Sequence, residues 1–224
     1  MLQAIIFDFD GVIADSEPLH LRAYQQVLEK EGIELSRDDY YARYLGFDDS
    51  GLFRALAKDR GIPITDDKVD GWIDVKSQIV EDLLNSDSVL FPGAVTCIQT
   101  LARRVPLAIA SGALEPEIEL VLDHTGLTDC FKVISSASDG VRGKPAPDLY
   151  LLALAKLRDI VDVAAGGCVA IEDSHWGLEA ATLAGLRTVA ITHTYPAAQL
   201  GGADLVVNHL SEITLHKLDA LFLR

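Results

Sequence analysis

The chain has 224 residues, a formal net charge of −15 and an apolar fraction of 49%. That charge argues against a nucleic-acid partner, which would call for clustered Lys and Arg, and the length suits one sheet domain with a smaller insert better than two full domains. No run reaches the eighteen or so uncharged apolar residues of a membrane span, and the first apolar run meets Asp8 too soon for a secretory signal, so a cytoplasmic protein free of the membrane is expected.

Taken in order, Ala4 to Phe7 is an Ile-rich run that predicts a strand buried on both faces. It ends on Asp8, with Asp10 two residues on and Gly11 freeing the backbone to turn. From Ser16 the period becomes helical, with Leu19, Ala23, Val27 and Leu28 on one face, Ser16 as N-cap, Pro18 in the first turn and Gly32 as stop. Further helices are predicted at about Asp38 to Leu45, Asp48 to Arg60 and Asp66 to Leu84. With no strand among them, residues 16–88 read as an inserted all-α cap domain. The remainder, 1–15 plus 89–224, alternates. Helices are predicted at Ala94 to Arg104, Pro116 to His124, Pro147 to Arg158 and Ser174 to Ala184, and strands at Pro106 to Ala110, Lys132 to Ser135, Cys168 to Ile171, Thr188 to Ile191 and Asp204 to Val207. This is the pattern of an α/β fold with a doubly wound parallel sheet. Cys97, Cys130 and Cys168 lack metal-ligand spacing and read as reduced, mostly buried thiols.

In such a sheet, ligands bind beyond the carboxyl ends of the strands. Four predicted strand ends carry polar groups: Asp8 and Asp10; Ser111 and Gly112; Lys144 within Gly143-Lys144-Pro145; and Glu172 with Asp173. A lone Asp-x-Asp is weak evidence, but four such ends at one edge would crowd four acids together. Two like charges about 4 Å apart repel by about 4 kcal/mol at an effective dielectric near 20, so the cluster calls for a cation. Oxygen-only ligands suit Mg²⁺ better than zinc, and Lys144 with Mg²⁺ can offset a phosphoryl dianion.

The set DFDGVIADS, Ser111, GKPAPD and IEDS resembles the haloacid dehalogenase superfamily and, within it, the β-phosphoglucomutase-like phosphatases, which carry a helical cap inserted after the first strand. The resemblance covers essentially the whole chain. It implies a Rossmann-like core, Asp8 as the nucleophile that forms an aspartyl-phosphate, and Asp10 as general acid and base. It further implies Ser111, Gly112 and Lys144 around the phosphoryl group, and Mg²⁺ on the Asp8 side chain, the Asp10 main-chain carbonyl and Asp173, with Glu172 assisting. The expected reaction is hydrolysis of a small phosphorylated metabolite such as a sugar phosphate, by a monomer or small homo-oligomer. Dehalogenases do not need the second acid and the phosphonate-cleaving branch lacks it, so Asp10 favours an oxygen leaving group. The alternatives are a phosphosugar mutase and, outside enzymes, a phospho-acceptor module; such modules are nearer half this length and lack a helical insert.

Asp15, Ser16 and His20 match positions lining the opening between core and cap in the resembling family, with Ser16 and His20 as further substrate-binding candidates. Gly46 begins the loop that in the mutase carries an arginine for the far phosphate. Phe47, Asp48 and Asp49 follow here, so the loop offers two acids and no cation. Asp48 and Asp49 read as an N-cap pair, and Lys76 is a cap cation outside the loop that can supply the missing charge. Phe47 reads equally as lid or packed residue. Arg142 and His175 are expected at the surface, and Trp72, Trp176, His193 and His209 have no spacing that suggests a site.

Overall fold

The computed structural model describes residues 1–45, 47–86 and 89–223. The chain divides into two compact units, Met1–Asp15 with Val89–Arg224, and Ser16–Ser88.

The first unit is built on six parallel strands: β1 (Ala4–Phe7), β2 (Leu107–Ala110), β3 (Phe131–Ser135), β4 (Cys168–Glu172), β5 (Arg187–Ile191) and β6 (Leu205–Val207). Their order across the sheet is β3-β2-β1-β4-β5-β6, a doubly wound arrangement in which the chain turns back at β1. Every residue of β1 and of β4 is buried, as expected of strands covered on both faces. Ala4, Ile6, Ala108 and Ala170 form a core with Tyr150 and Leu154 of one helix and Ala180 and Ala181 of another. Alternation sends Ile5 and Phe7 to the opposite face, where the Phe7 ring meets Phe131 edge-on at 6.0 Å.

The second unit contains α1 (Glu17–Glu29), a short α2 (Arg37–Asp39), a five-residue π-helix (Tyr40–Tyr44), α3 (Asp49–Asp59) and α4 (Asp66–Ser86). The expected helix at Asp38 to Leu45 is thus α2 running into a π-helix. Its buried Tyr40 and Tyr44 join Tyr24, Leu52, Phe53, Leu56 and Trp72 in a core of the unit's own. Back in the sheet unit, α5 (Ala94–Ala102), α6 (Glu115–Thr125), α7 (Asp148–Arg158) and α8 (His175–Leu183) separate the strands, and α9 (Leu215–Ala220) follows β6.

Two cap assignments need correction. Ser16 stands at the N-cap of α1 but in helical conformation, and its side chain makes no capping bond. Asp48 does cap α3, accepting from the Gly51 amide at 2.6 Å, whereas Asp49 turns inward. Asp49 lies 3.0 Å (Oδ1) and 3.2 Å (Oδ2) from the Nζ of buried Lys76 and accepts the Tyr24 hydroxyl. Beside them, burial and the Lys76 charge hold His20 down at about 3, with Asp49 opposing, so its ring is neutral near pH 7. Lys76 is buried and Asp49 half-buried, so removing Asp49 strands a buried ammonium, at up to about 3–5 kcal/mol. Asp49→Asn is therefore expected to lose about that much unfolding free energy in denaturant titration, and adding Lys76→Met should recover most of it. A loss under about 1 kcal/mol would contradict dependence of the buried Lys76 charge on Asp49.

Candidate active site

β1 lies between β2 and β4, so the crevice where the sheet reverses its winding opens at the carboxyl ends of β1 and β4. The register Phe7↔Ile171 sets Asp8 beside Glu172, and the Asp8 amide donates to the Ile171 carbonyl at 2.9 Å. Asp8 Oδ1 accepts from its neighbour's amide, Phe9 N, at 2.7 Å.

The loop before α7 brings Lys144 to the same point, its Nζ 2.9 Å from Asp8 Oδ1 and 2.6 Å from Glu172 Oε1. Glu172 is fully buried and heavily used: its Oε1 also accepts the Tyr150 hydroxyl at 2.7 Å, and its Oε2 accepts the Asp173 amide at 3.2 Å and the Ser174 hydroxyl at 3.3 Å. Room for it comes from Gly177 in α8, where a Cβ would lie 1.9 Å from the carboxylate. Gly11, at φ +75°, serves Asp173 in the same way; a Cβ there would lie 2.0 Å from Oδ2.

Carboxylate oxygens of Asp8, Glu172 and Asp173 lie within 4.8 Å of one another, all three residues buried. Among the described residues, one lysine faces these three acids. Burial drives Asp8 well above the carboxylate range, with Lys144 opposing and the other two acids adding to it. Burial and Glu172 push Asp173 up to about 7. Burial alone would lower Lys144, but the Asp8 and Glu172 carboxylates outweigh it and keep the ammonium charged. An oxygen-only, acid-rich group of this kind fits a hard divalent cation.

Of the residues singled out from sequence, Asp8, Lys144, Glu172 and Asp173 meet directly. Ser111, buried, sits just past the end of β2, next to β1, where its Oγ accepts the Ala113 amide at 3.1 Å; Gly112 follows it. Asp10 is half-buried on the turn after β1, where its backbone pairs with Ala14, and its carboxylate is not part of the three-acid group. Ser16 and His20 belong to the helical unit, and Gly46 lies outside the described residues. Phe47 is half exposed. Arg142 forms a two-bond pair with Asp148 at the surface, and His175 is exposed beside Trp176. Trp72 is core. Three contributors escaped the sequence reading: Tyr150, which donates to Glu172, Thr194, which donates to Asp173, and His193, which bonds the Gly11 carbonyl. Tyr150 had a signal, since it falls in the first turn of the helix after the Lys144 motif and so faces the sheet.

A doubly wound parallel sheet with three buried acids and a lysine at its switch point defines an α/β enzyme suited to an anionic group and a cation. The haloacid dehalogenase-like hydrolase model matches residues 2–185, and the chain belongs to that family. It is 30% identical to a phosphorylated carbohydrates phosphatase of Thermotoga maritima, over 86% of this chain and 87% of that protein. With the β-phosphoglucomutase of Bacillus subtilis it shares 29% identity, over 97% of this chain and 94% of the other. Among solved structures, CbbY from Rhodobacter sphaeroides in complex with phosphate superposes with a TM-score of 0.86 at 27% identity, covering 98% of this chain and all of that one. The inserted helical unit is the cap domain of this fold. Among the described residues, no helix is long and apolar enough to cross a membrane.

Proposed function

We propose that the protein is a Mg²⁺-dependent phosphatase that hydrolyses a small phosphorylated metabolite of the sugar-phosphate class through an aspartyl-phosphate on Asp8. The observation that carries this reading is the Asp8 carboxylate at the switch point, 2.9 Å from Lys144 and grouped with Glu172 and Asp173. Lys144 screens the charge of the incoming phosphoryl group while the Ser111 hydroxyl and the Gly112 amide orient its oxygens. Asp8 attacks phosphorus, and Asp10 protonates the departing oxygen. Asp10 then takes a proton from water as that water attacks the phosphorylated Asp8, returning the carboxylate and releasing phosphate. Mg²⁺, held by Asp8, the Asp10 main-chain carbonyl and Asp173 with Glu172 assisting, supplies positive charge to a transition state whose stabilisation is mostly electrostatic.

The β-phosphoglucomutase relative keeps phosphosugar isomerisation as a second reading. A mutase must hold a second phosphate with a fixed cation. Lys76, the cap cation that can serve this purpose, is buried and already paired with Asp49 inside the helical unit, which supports hydrolysis. Phosphate release across a panel of phosphorylated metabolites, with Mg²⁺ and with chelator, tests the reading. Steady Mg²⁺-dependent release is expected, with glucose 1-phosphate, where it reacts, giving free phosphate and little glucose 6-phosphate. Isomerisation outpacing release in the presence of trace bisphosphate would establish a mutase, and stoichiometric labelling without turnover a phospho-acceptor module.

The metal can be tested without turnover. Without metal, Asp173 keeps its proton up to about pH 7. Its folded value stands above the unfolded one near 3.9, so its contribution to stability is complete at low pH and lost as pH rises towards 7. Mg²⁺ favours the ionised form, so at fixed Mg²⁺ the stabilisation should be larger at pH 8 than at pH 6. At about 100 times Kd the gain is about 2.7 kcal/mol, and Asp173→Asn should lose most of it. Equal Mg²⁺ shifts in parent and variant, by thermal melting, would remove Asp173 from the metal site.

A further inference from the structure

The loop after β5 sends two adjacent side chains to the two halves of the site. His193 Nδ1 lies 3.0 Å from the Gly11 carbonyl oxygen, and because a carbonyl only accepts, the ring proton sits on Nδ1. The same ring stacks on Phe91, with centroids 3.8 Å apart and planes 21° from parallel. Phe91 is itself tied to the turn, its amide donating to the Ile13 carbonyl at 3.0 Å. The next residue, Thr194, donates its hydroxyl to Asp173 and lies against Gly11, its Oγ1 3.0 Å from where a Cβ there would stand. Within the turn, Gly11 N donates to Ala14 O at 2.8 Å, Ile13 N to Phe9 O at 2.8 Å and Ala14 N to Phe9 O at 3.0 Å, and beyond it Asp15 N donates to Val89 O at 2.7 Å. The local bonds hold the turn's shape and those with residues 89–91 anchor its Ile13–Asp15 side, whereas the His193 bond reaches it at Gly11, next to Asp10.

We propose that His193 is a positioning residue: with Thr194 it forms a clasp that fixes the Asp10–Gly11 turn against Asp173, so that the acid of the turn meets the leaving oxygen in register. This rests on the phosphatase reading for its kinetic consequence, and on geometry alone for its structural one. Displacing a reacting group by about 1 Å can cost roughly 100-fold in rate, so the clasp has enough leverage to be measured.

Two variants separate its parts. His193→Phe keeps a ring over Phe91 and loses the donor, while His193→Asn keeps an N–H at the Nδ1 position and loses the ring. With His193→Phe, kcat/KM on an alkyl phosphate, which reports phosphorylation of Asp8, should fall about 10–100-fold, and on nitrophenyl phosphate, whose leaving group needs little acid help, within about threefold. His193→Asn should recover most of the loss. Hydrogen exchange at the Gly11 and Ala14 amides should quicken at least about tenfold in His193→Phe and much less in His193→Asn. Thr194→Val should weaken Mg²⁺ binding by calorimetry about tenfold, the lower range for a group supporting a metal ligand. Equal kcat/KM losses on both substrates, an Asn variant no better than Phe, or unchanged amide exchange would overturn the clasp. A parent enzyme that releases phosphate from neither ester would instead sink the phosphatase reading, leaving the clasp to be decided by the exchange and calorimetry results.

Discussion

Asp8→Asn should reduce phosphate release by more than about 10³-fold while leaving the fold intact. The amide has no charge with which to attack phosphorus, so the first step is lost and no other described carboxylate stands in its place. Glu172 is fully buried and shared among Lys144, Tyr150, Ser174 and its neighbour's amide, and Asp173 is bonded to Thr194. Stability should hold or rise, because Asp8 is one of three buried acids facing one lysine and its loss relieves repulsion. Melting temperature and phosphate release should be measured on the same preparation. Activity within tenfold of the parent would remove Asp8 from the nucleophile role.

Asp10→Ala should slow both formation and hydrolysis of the phosphoenzyme, by about 10²–10⁴-fold on an alkyl phosphate. Asp10 sits on the turn after β1, two residues from Asp8, and its carboxylate is not one of the three-acid group. A leaving group of low pKa departs with little acid help, so the loss on nitrophenyl phosphate should be much smaller in the first step. An equal loss on both esters in the phosphorylation step, read from kcat/KM, would argue against the acid role and for a purely structural turn.

Much of the sheet unit was legible because its signals are local. Ala4–Phe7 is a run that only a strand buried on both faces explains, and Gly126 and Gly185 mark helix ends with left-handed backbone, at φ 66° and 83°. The acids, Ser111 and Lys144 were readable because each directly follows a predicted strand or sits in a Gly-Lys-Pro turn. What was missed depends on distance in sequence. Asp49 follows a cap residue and so looks like one, but its partner Lys76 is 27 residues away on another helix. The strand order, which makes β1 and β4 neighbours and so pairs Asp8 with Glu172, follows from packing that no single segment encodes. Ser16 shows the reverse error, a residue of the right type whose backbone is already helical and whose hydroxyl does not cap. The C-terminal α9 had a readable start in Thr214, whose side chain accepts from Lys217 N, but at six residues it is too short for periodicity to reveal. His193 carried no motif at all; its role comes from a bond to a residue 182 positions earlier.

Passage of phosphate through Asp8 on its way to water can be followed by rapid acid quench with a ³²P-labelled substrate and borohydride reduction. Label is expected on the protein within the first turnover, up to one per chain, lost on chase with unlabelled substrate, with a reduced residue at position 8. Phosphate release with no label on the protein, or label on any residue other than Asp8, would contradict it.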